Sequence, residues 1–169
     1  MSNLLPDSIF ESVCDISPEY LKDLGIKAVL CDLDSTLMPA LSQVLPEKSV
    51  RWIESIKNAG ISVMVLSNNS KEYRVAEVCK KLGIEFIHLA KKPFAKGYRL
   101  AIRRLSLKPS EIAMVGDQIY TDVLGANRCG MFTILVESLD LNLIYVKLRR
   151  LLEKPVINRA KRRQEGVRG

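Results

Sequence analysis

Ala28-Val29-Leu30-Cys31-Asp32-Leu33-Asp34-Ser35-Thr36-Leu37 runs four apolar residues straight into two aspartates. A short unbroken apolar run with a β-branched residue reads as a strand buried on both faces, the kind found in parallel sheets. In such sheets ligands bind in the crevice beyond the carboxyl ends of the strands. Asp32 and Asp34 are two positions apart, so their side chains point the same way for as long as the chain stays extended. Two carboxylates aimed into one crevice repel each other and any phosphate brought near them. A cation between them relieves this, and an all-oxygen site of this kind suits Mg²⁺. The same ion would neutralise phosphoryl oxygens and let a carboxylate attack. The bland alternative is a loop whose two solvated aspartates cap the next turn, so the motif needs partners elsewhere in the chain.

Outward from this run, strand and helix alternate. Residues 28–33, 61–66, 86–89, 112–115 and 132–136 are short apolar runs with strand composition. Between them, Val50, Ile53 and Ile56 share one helical face before Gly60, and Val75, Val78, Cys79 and Leu82 share another before Gly83. Tyr98, Ala101, Ile102 and Leu105 mark a third helix, and residues 122–128 a short fourth before Gly130. The expectation is an α/β fold: a doubly wound, Rossmann-like, five-stranded parallel sheet with helices on both faces. Ser17-Pro18-Glu19 starts a helix ahead of the first strand. After the last strand, Leu141, Ile144, Tyr145, Leu148, Leu151 and Leu152 form an apolar stripe, with Lys147, Arg149 and Arg150 off it. Residues 1–155 thus read as one domain ending in an amphipathic helix, and residues 156–169 as a basic, poorly ordered tail.

The partners of the aspartate pair come at the ends of later strands. Ser67-Asn68-Asn69 offers a hydroxyl and backbone N–H groups to a phosphate, although a serine or asparagine there is more often a helix N-cap. Lys92, in Lys91-Lys92-Pro93, can bind a phosphoryl group and offset the carboxylates; read alone it is an exposed loop lysine. Gly116-Asp117-Gln118 puts a carboxylate at a strand end within reach of the same crevice, and Asp122 follows as a helix cap or a further acid.

D-x-D-x-T, a serine after the next strand, a lysine before proline and a G-D with a second acid shortly after, all in order across residues 28–136, resemble the haloacid dehalogenase superfamily. That resemblance implies a phosphoric monoester hydrolase with Asp32 as the nucleophile forming an aspartyl-phosphate. Asp34 would be general acid and then base; Thr36, Ser67, Asn68 and Lys92 would bind the phosphoryl group. Asp32, Asp117 and Asp34, the last through its backbone carbonyl, would hold Mg²⁺, and Asp122 would support the site or bind the metal through water. Thr36 and Ser67 stand 31 positions apart, which one helix and one strand fill, so no inserted cap domain is expected. Leu5-Pro6, Asp15-Ile16, Gly25-Ile26-Lys27-Ala28, Lys92-Pro93, Thr121-Asp122-Val123 and Asn127-Arg128 extend the likeness. They resemble the uncapped subclass III, in its YqeG-like and mitochondrial-type phosphatidylglycerophosphate phosphatase branch. The implied reaction is removal of the terminal phosphate of phosphatidylglycerophosphate to leave phosphatidylglycerol.

Charge bears on location. The +7 net charge lies wholly in residues 147–169, with nine basic and two acidic residues, while residues 1–146 balance at seventeen of each. A neutral body with a cationic end fits an anionic partner met from one side, and an anionic membrane surface would suit a lipid phosphate. Few aromatics accompany those charges, so nucleic acid is not expected. Charges interrupt every apolar stretch before it could span a membrane, and Asp7 and Glu11 fall where a secretory leader needs none. The expectation is a cytoplasmic protein, peripheral on a membrane if the tail anchors it. Four scattered cysteines without a CxxC pair read as reduced thiols. The competing readings are a phosphatase of a soluble sugar or nucleotide phosphate, and an RNA-associated or signalling protein with a vestigial site.

Overall fold

The computed structural model describes residues 3–167. Its elements follow in chain order: β1 (Ser8–Phe10), α1 (Pro18–Asp23), β2 (Ala28–Cys31), α2 (Glu47–Asn58), β3 (Ser62–Leu66) and α3 (Glu72–Leu82). Then come β4 (Glu85–Ile87), α4 (Ala95–Leu105), β5 (Ile112–Gly116), α5 (Leu124–Arg128), β6 (Phe132–Val136) and α6 (Ile144–Val167). The strands form one parallel sheet in the order β1-β6-β5-β2-β3-β4. After the edge strand β1, the chain crosses to β2, winds outward through β3 and β4, and returns to the other side of β2 for β5. The strand order therefore reverses between β2 and β5, and the crevice at such a switch point is where this class of fold binds ligands.

The alternation of side chains along β2 divides the core. Val29 and Cys31 face a cluster with Ile16, just ahead of α1, and with Leu21, Trp52, Ile53 and Val75, which α1, α2 and α3 supply. Ala28 and Leu30 face Tyr98, Ala101 and Ala126 of α4 and α5 on the other side. No second domain interrupts β2 and β3: the connection at residues 37–46 and α2 occupy that interval. Cys31 and Cys79 are buried, Cys129 is half-buried and Cys14 is exposed, all as free thiols.

The sheet has six strands where the sequence suggests five. The additional one, β1, is three residues long and sits at the edge, paired with β6 through Ser8, Ile9 and Phe10 against Ile134, Leu135 and Val136. Nothing local marks it, because its partner strand lies more than a hundred residues away and its cover comes from α6. Three strand ends also differ: β2 stops at Cys31, β4 ends at Ile87, and β5 runs on to Gly116.

The C-terminal segment departs further. One helix runs from Ile144 through Pro155 to Val167, so most of the stretch expected as a poorly ordered tail is helical. Val156 and Ile157 pack with Leu4, Ile9, Ile119, Val123 and Leu135, and the Gln164 side chain accepts a hydrogen bond from the Ile9 backbone N–H at 3.0 Å. These contacts hold the helix together beyond the one backbone bond that proline removes. Arg168, counted with that tail, lies outside the described residues. The helix turns Val146, Glu153 and Ala160 inward, while Ile144, Tyr145, Leu148, Leu151 and Leu152 of the expected stripe face outward.

Candidate active site

Asp32 prolongs β2 by one backbone bond, its N–H donating to the Val115 carbonyl at 2.9 Å. The chain then curls: Leu37 and Met38 donate to the Leu33 carbonyl at 3.0 and 3.2 Å, and Ser35 takes a left-handed φ of 66°. This turn holds the Thr36 hydroxyl 3.4 Å from Asp32 Oδ2 and 3.5 Å from Asp117 Oδ1. On the other side of the switch point, β5 ends at Gly116 and delivers Asp117. A single π-helical turn follows over Ile119–Val123 and brings Asp122 back, its Oδ2 accepting from the Gln118 N–H at 3.1 Å. A Cβ on Gly116 would stand 2.3 Å from Asp122 Oδ2, so only glycine allows this approach.

Lys92 closes the group. Its ammonium donates to Asp32 Oδ1 at 2.5 Å and to Asp122 Oδ1 at 2.7 Å, with all three side chains buried. The loop that carries it is fixed by Asn68, whose side chain accepts from the Lys92 N–H at 2.7 Å and donates to the Lys92 carbonyl at 3.1 Å. Asn68, expected at the phosphate, thus spends its amide on the lysine's backbone. Ser67 is buried at the end of β3, and its hydroxyl accepts from the Asn69 N–H at 3.0 Å.

Asp32, Asp117 and Asp122 each present an oxygen within 4.8 Å of the others. Opposite ligands of a bound magnesium ion are about 4 Å apart, so the cluster has the size and the all-oxygen character for a hard divalent cation. Its charge fits as well. Three buried carboxylates face two cations, Lys92 and Arg149, and two carboxylates at this separation repel by about 3 kcal/mol at an effective dielectric of 20. The Asp32 carboxyl accordingly stands at about 7, raised by burial and by Asp122 and Asp117, against the opposing pull of Lys92. Asp117 is also raised by burial, with Arg149 opposing. Burial lowers the Lys92 ammonium, but Asp122 and Asp32 more than offset this and hold it above the ordinary lysine range.

Asp34 belongs to a second, more open group. Its carboxylate pairs with Arg74 of α3 and accepts from Asn69 Nδ2 at 2.9 Å. Arg74 also donates to the carbonyls of Ala40 and Ser42 at 3.1 and 2.8 Å, tying Asp34 to the loop ahead of α2.

Three contributors escaped the sequence reading. Arg74 has no motif around it. Arg149 was one basic residue in a run, but its Nη2 donates to Asp117 Oδ2 at 2.6 Å. Glu153, fully buried, accepts from the Ile119 N–H at 2.9 Å, and its other oxygen lies 3.9 Å from Arg149 Nε. Neither of those last two atoms has a hydrogen-bond partner among the described residues. One signal was available: an acid four positions after Arg149, alone in a basic stretch, at helical spacing from Val146 and Val156.

A family model described as haloacid dehalogenase-like hydrolase matches residues 41–130, a span that holds Ser67, Lys92, Asp117 and Asp122 and begins after Thr36. The chain is 36% identical over 160 residues to the "Probable phosphatase YqeG" of Bacillus subtilis, covering 94% of this chain and 92% of that protein. It is 30% identical over 146 residues to phosphatidylglycerophosphate phosphatase 1, chloroplastic/mitochondrial, of Arabidopsis thaliana, covering 81% of this chain and 42% of that one. The solved structure of the cobalt-bound deoxy-D-mannose-octulosonate 8-phosphate phosphatase of Haemophilus influenzae is similar in fold. Its TM-score is 0.56 at 20% identity, covering 76% of this chain and 77% of that one.

Proposed function

Because the chain belongs to the haloacid dehalogenase-like hydrolases, we propose that it is a magnesium-dependent phosphatase acting on phosphatidylglycerophosphate through a phosphorylated Asp32. The observation that carries this reading is the Lys92 ammonium clasped between Asp32 and Asp122, with Asp117 close by, at the switch point of the sheet. Asp32 attacks phosphorus, a P–O bond forms to its carboxylate, and the bond to the substrate's alcohol oxygen breaks. Asp34, in its acid form, gives that oxygen a proton. It then takes one from the water that attacks the acyl phosphate and releases inorganic phosphate, regenerating Asp32. Lys92, with the hydroxyls of Thr36 and Ser67, holds the phosphoryl oxygens. Magnesium would be held by Asp32 and Asp117, with Asp122 in reach and the Asp34 carbonyl as a further ligand, and would supply charge neutralisation for those oxygens.

Two features support a lipid substrate. The similarity to the Arabidopsis enzyme extends over most of this chain. The site has no cap domain, so a substrate presented at a surface must itself help exclude water. No helix among the described residues is long and apolar enough to cross a membrane. Contact with an anionic bilayer, at its cytoplasmic face, would instead use α6, which carries exposed Leu148, Leu151 and Leu152 in its first half and exposed Lys147, Lys154, Arg159, Lys161, Arg162 and Arg163 along its length. Phosphate release from phosphatidylglycerophosphate in detergent micelles, set against a soluble sugar phosphate with and without Mg²⁺, tests the reading. Preferential metal-dependent turnover of the lipid upholds it. Preference for the sugar phosphate leaves a phosphatase of the kind named in Haemophilus influenzae.

A further inference from the structure

Apart from those between Leu141 and Leu152, the exposed large apolar side chains are concentrated at one end of the sheet. Leu41 and Val44, in the connection after β2, are 85% and 75% exposed, and Phe94, two residues beyond Lys92, is 70% exposed. Tyr73 stands in the first turn of α3, Leu89 in the loop after β4 and Tyr120 in the turn after β5, all exposed. Every one belongs to a segment leaving the carboxyl end of a strand, the end that carries the site. The connections at the opposite end of the sheet show one such residue among those described, Leu24, at 40%.

Basic residues are interspersed among the apolar ones of this end. Residues 37–46 contain no charge at all. Lys71 and Lys91 are exposed between the apolar positions. Of the acids of this end, Asp34 pairs with Arg74 and Glu137 with Arg150 at 2.9 Å, while Glu11 and Glu72, the latter 3.6 Å from His88, are exposed. Asp140 accepts from the Ser35 hydroxyl at 2.5 Å and the Ala40 N–H at 2.8 Å. The loop with Leu41 and Val44 is also held in place, since Arg74 donates to the carbonyls on either side of Leu41.

From this we infer that the catalytic end of the domain is itself a membrane-docking surface, seating its rim of apolar and aromatic residues into the interface of a bilayer containing anionic lipid. The inference rests on the lipid-phosphate reading and goes beyond it, because the contact is made around the site and not by α6 alone. Leu and Val side chains gain free energy on leaving water, aromatic rings settle at the headgroup level, and free lysines meet lipid phosphates. So seated, the uncapped crevice opens towards the headgroups, and a phosphomonoester on a lipid reaches Lys92 and Asp32 without leaving the membrane. The bilayer then excludes water from the site as a cap domain would.

The test uses the full chain with vesicles of phosphatidylcholine mixed with phosphatidylglycerol. A triple variant, Leu41→Ser, Val44→Ser and Phe94→Ser, is compared with Leu148→Ser, Leu151→Ser and Leu152→Ser on α6. The rim variant should lower vesicle partitioning in flotation by about tenfold or more, with Mg²⁺-dependent hydrolysis of a small soluble phosphate ester unchanged. A second construction is independent of any loss of folding. Trp52 is the sole tryptophan and is buried, so Phe94→Trp adds one exposed reporter. Its emission should shift to the blue on adding vesicles and be quenched by brominated lipid. Undiminished vesicle binding in the rim variant, or a Phe94→Trp spectrum indifferent to lipid, overturns the inference. So does loss of binding confined to the α6 variant, or self-association through this face in place of vesicle binding. Flotation and fluorescence do not depend on turnover, so failure of the lipid as substrate in micelles is a separate result.

Discussion

The acids of this site are held by cations of two origins. Lys92 comes from a strand-end loop and is buried between Asp32 and Asp122, whereas Arg74 and Arg149 reach in from helices α3 and α6 and keep contact with solvent. The strand-end group is fixed by backbone: a ladder bond to Asp32, the Asn68 clasp on Lys92, and Gly116 beneath Asp122. The helix-borne cations are placed first by where their helices lie, Arg74 being held further by the carbonyls of Ala40 and Ser42. Chemistry that requires placement to a fraction of an ångström sits on the first kind of support, and charge compensation that tolerates some motion sits on the second.

Breaking the buried cation should have the larger effect. Lys92→Met leaves Asp32 and Asp122 without their shared partner and should destabilise the metal-free protein by about 3–5 kcal/mol. Phosphate release should fall below detection, and urea unfolding with a turnover assay measures both. Arg149→Met removes a partner that is partly open to water, so its cost should be smaller, about 1–3 kcal/mol. Because Arg149 and a metal ion both neutralise Asp117, this variant should gain more thermal stability from Mg²⁺ than the parent does. Equal gains would mean that Arg149 and the metal do not share that carboxylate.

Unequal legibility follows the same division. Asp32, Thr36, Lys92, Asp117 and Asp122 could be read from the sequence because Asp32 and Asp117 follow apolar strands directly, the other three lie in the short segments just after strand ends, and strand ends in a parallel sheet converge on one crevice. Arg74 and Arg149 could not, since a helix presents a new residue every 100° or so and only tertiary packing chooses which one faces the site. α6 shows how misleading local pattern can be. Its most apolar stripe, through Leu148, Leu151 and Leu152, points outward, and its buried face includes Glu153. The segment beyond Pro155 looked unstructured because the residues it rests on, Ile9 and Leu135, belong to an edge strand too short to read and to the strand beside it.

A smaller effect sharpens the account of the buried group. The Asp32 carboxyl keeps its proton in the folded, metal-free protein up to about pH 7 but loses it near 4 when unfolded. Between those values the folded state binds more protons, so the stability of the metal-free protein should fall as pH rises from about 4 to 7. Magnesium must displace that proton, and the rise in melting temperature on adding Mg²⁺ should therefore be greater at pH 8 than at pH 5. A metal-induced shift independent of pH would place the ion away from Asp32.

The most direct measurement asks where the phosphoryl group goes. Asp34→Asn removes the group proposed as proton donor and acceptor while leaving Asp32, Lys92 and the acidic cluster in place. Incubated with Mg²⁺ and a phosphate ester that has a good leaving group, quenched in acid and digested, this variant should carry one phosphoryl group on the peptide containing Asp32. The group should be absent when the metal is chelated, and absent in Asp32→Asn, which should turn over on the order of 10⁴-fold more slowly than the parent. A phosphoryl group on another residue, or near-normal turnover by Asp32→Asn, would contradict the assignment of Asp32 as the nucleophile.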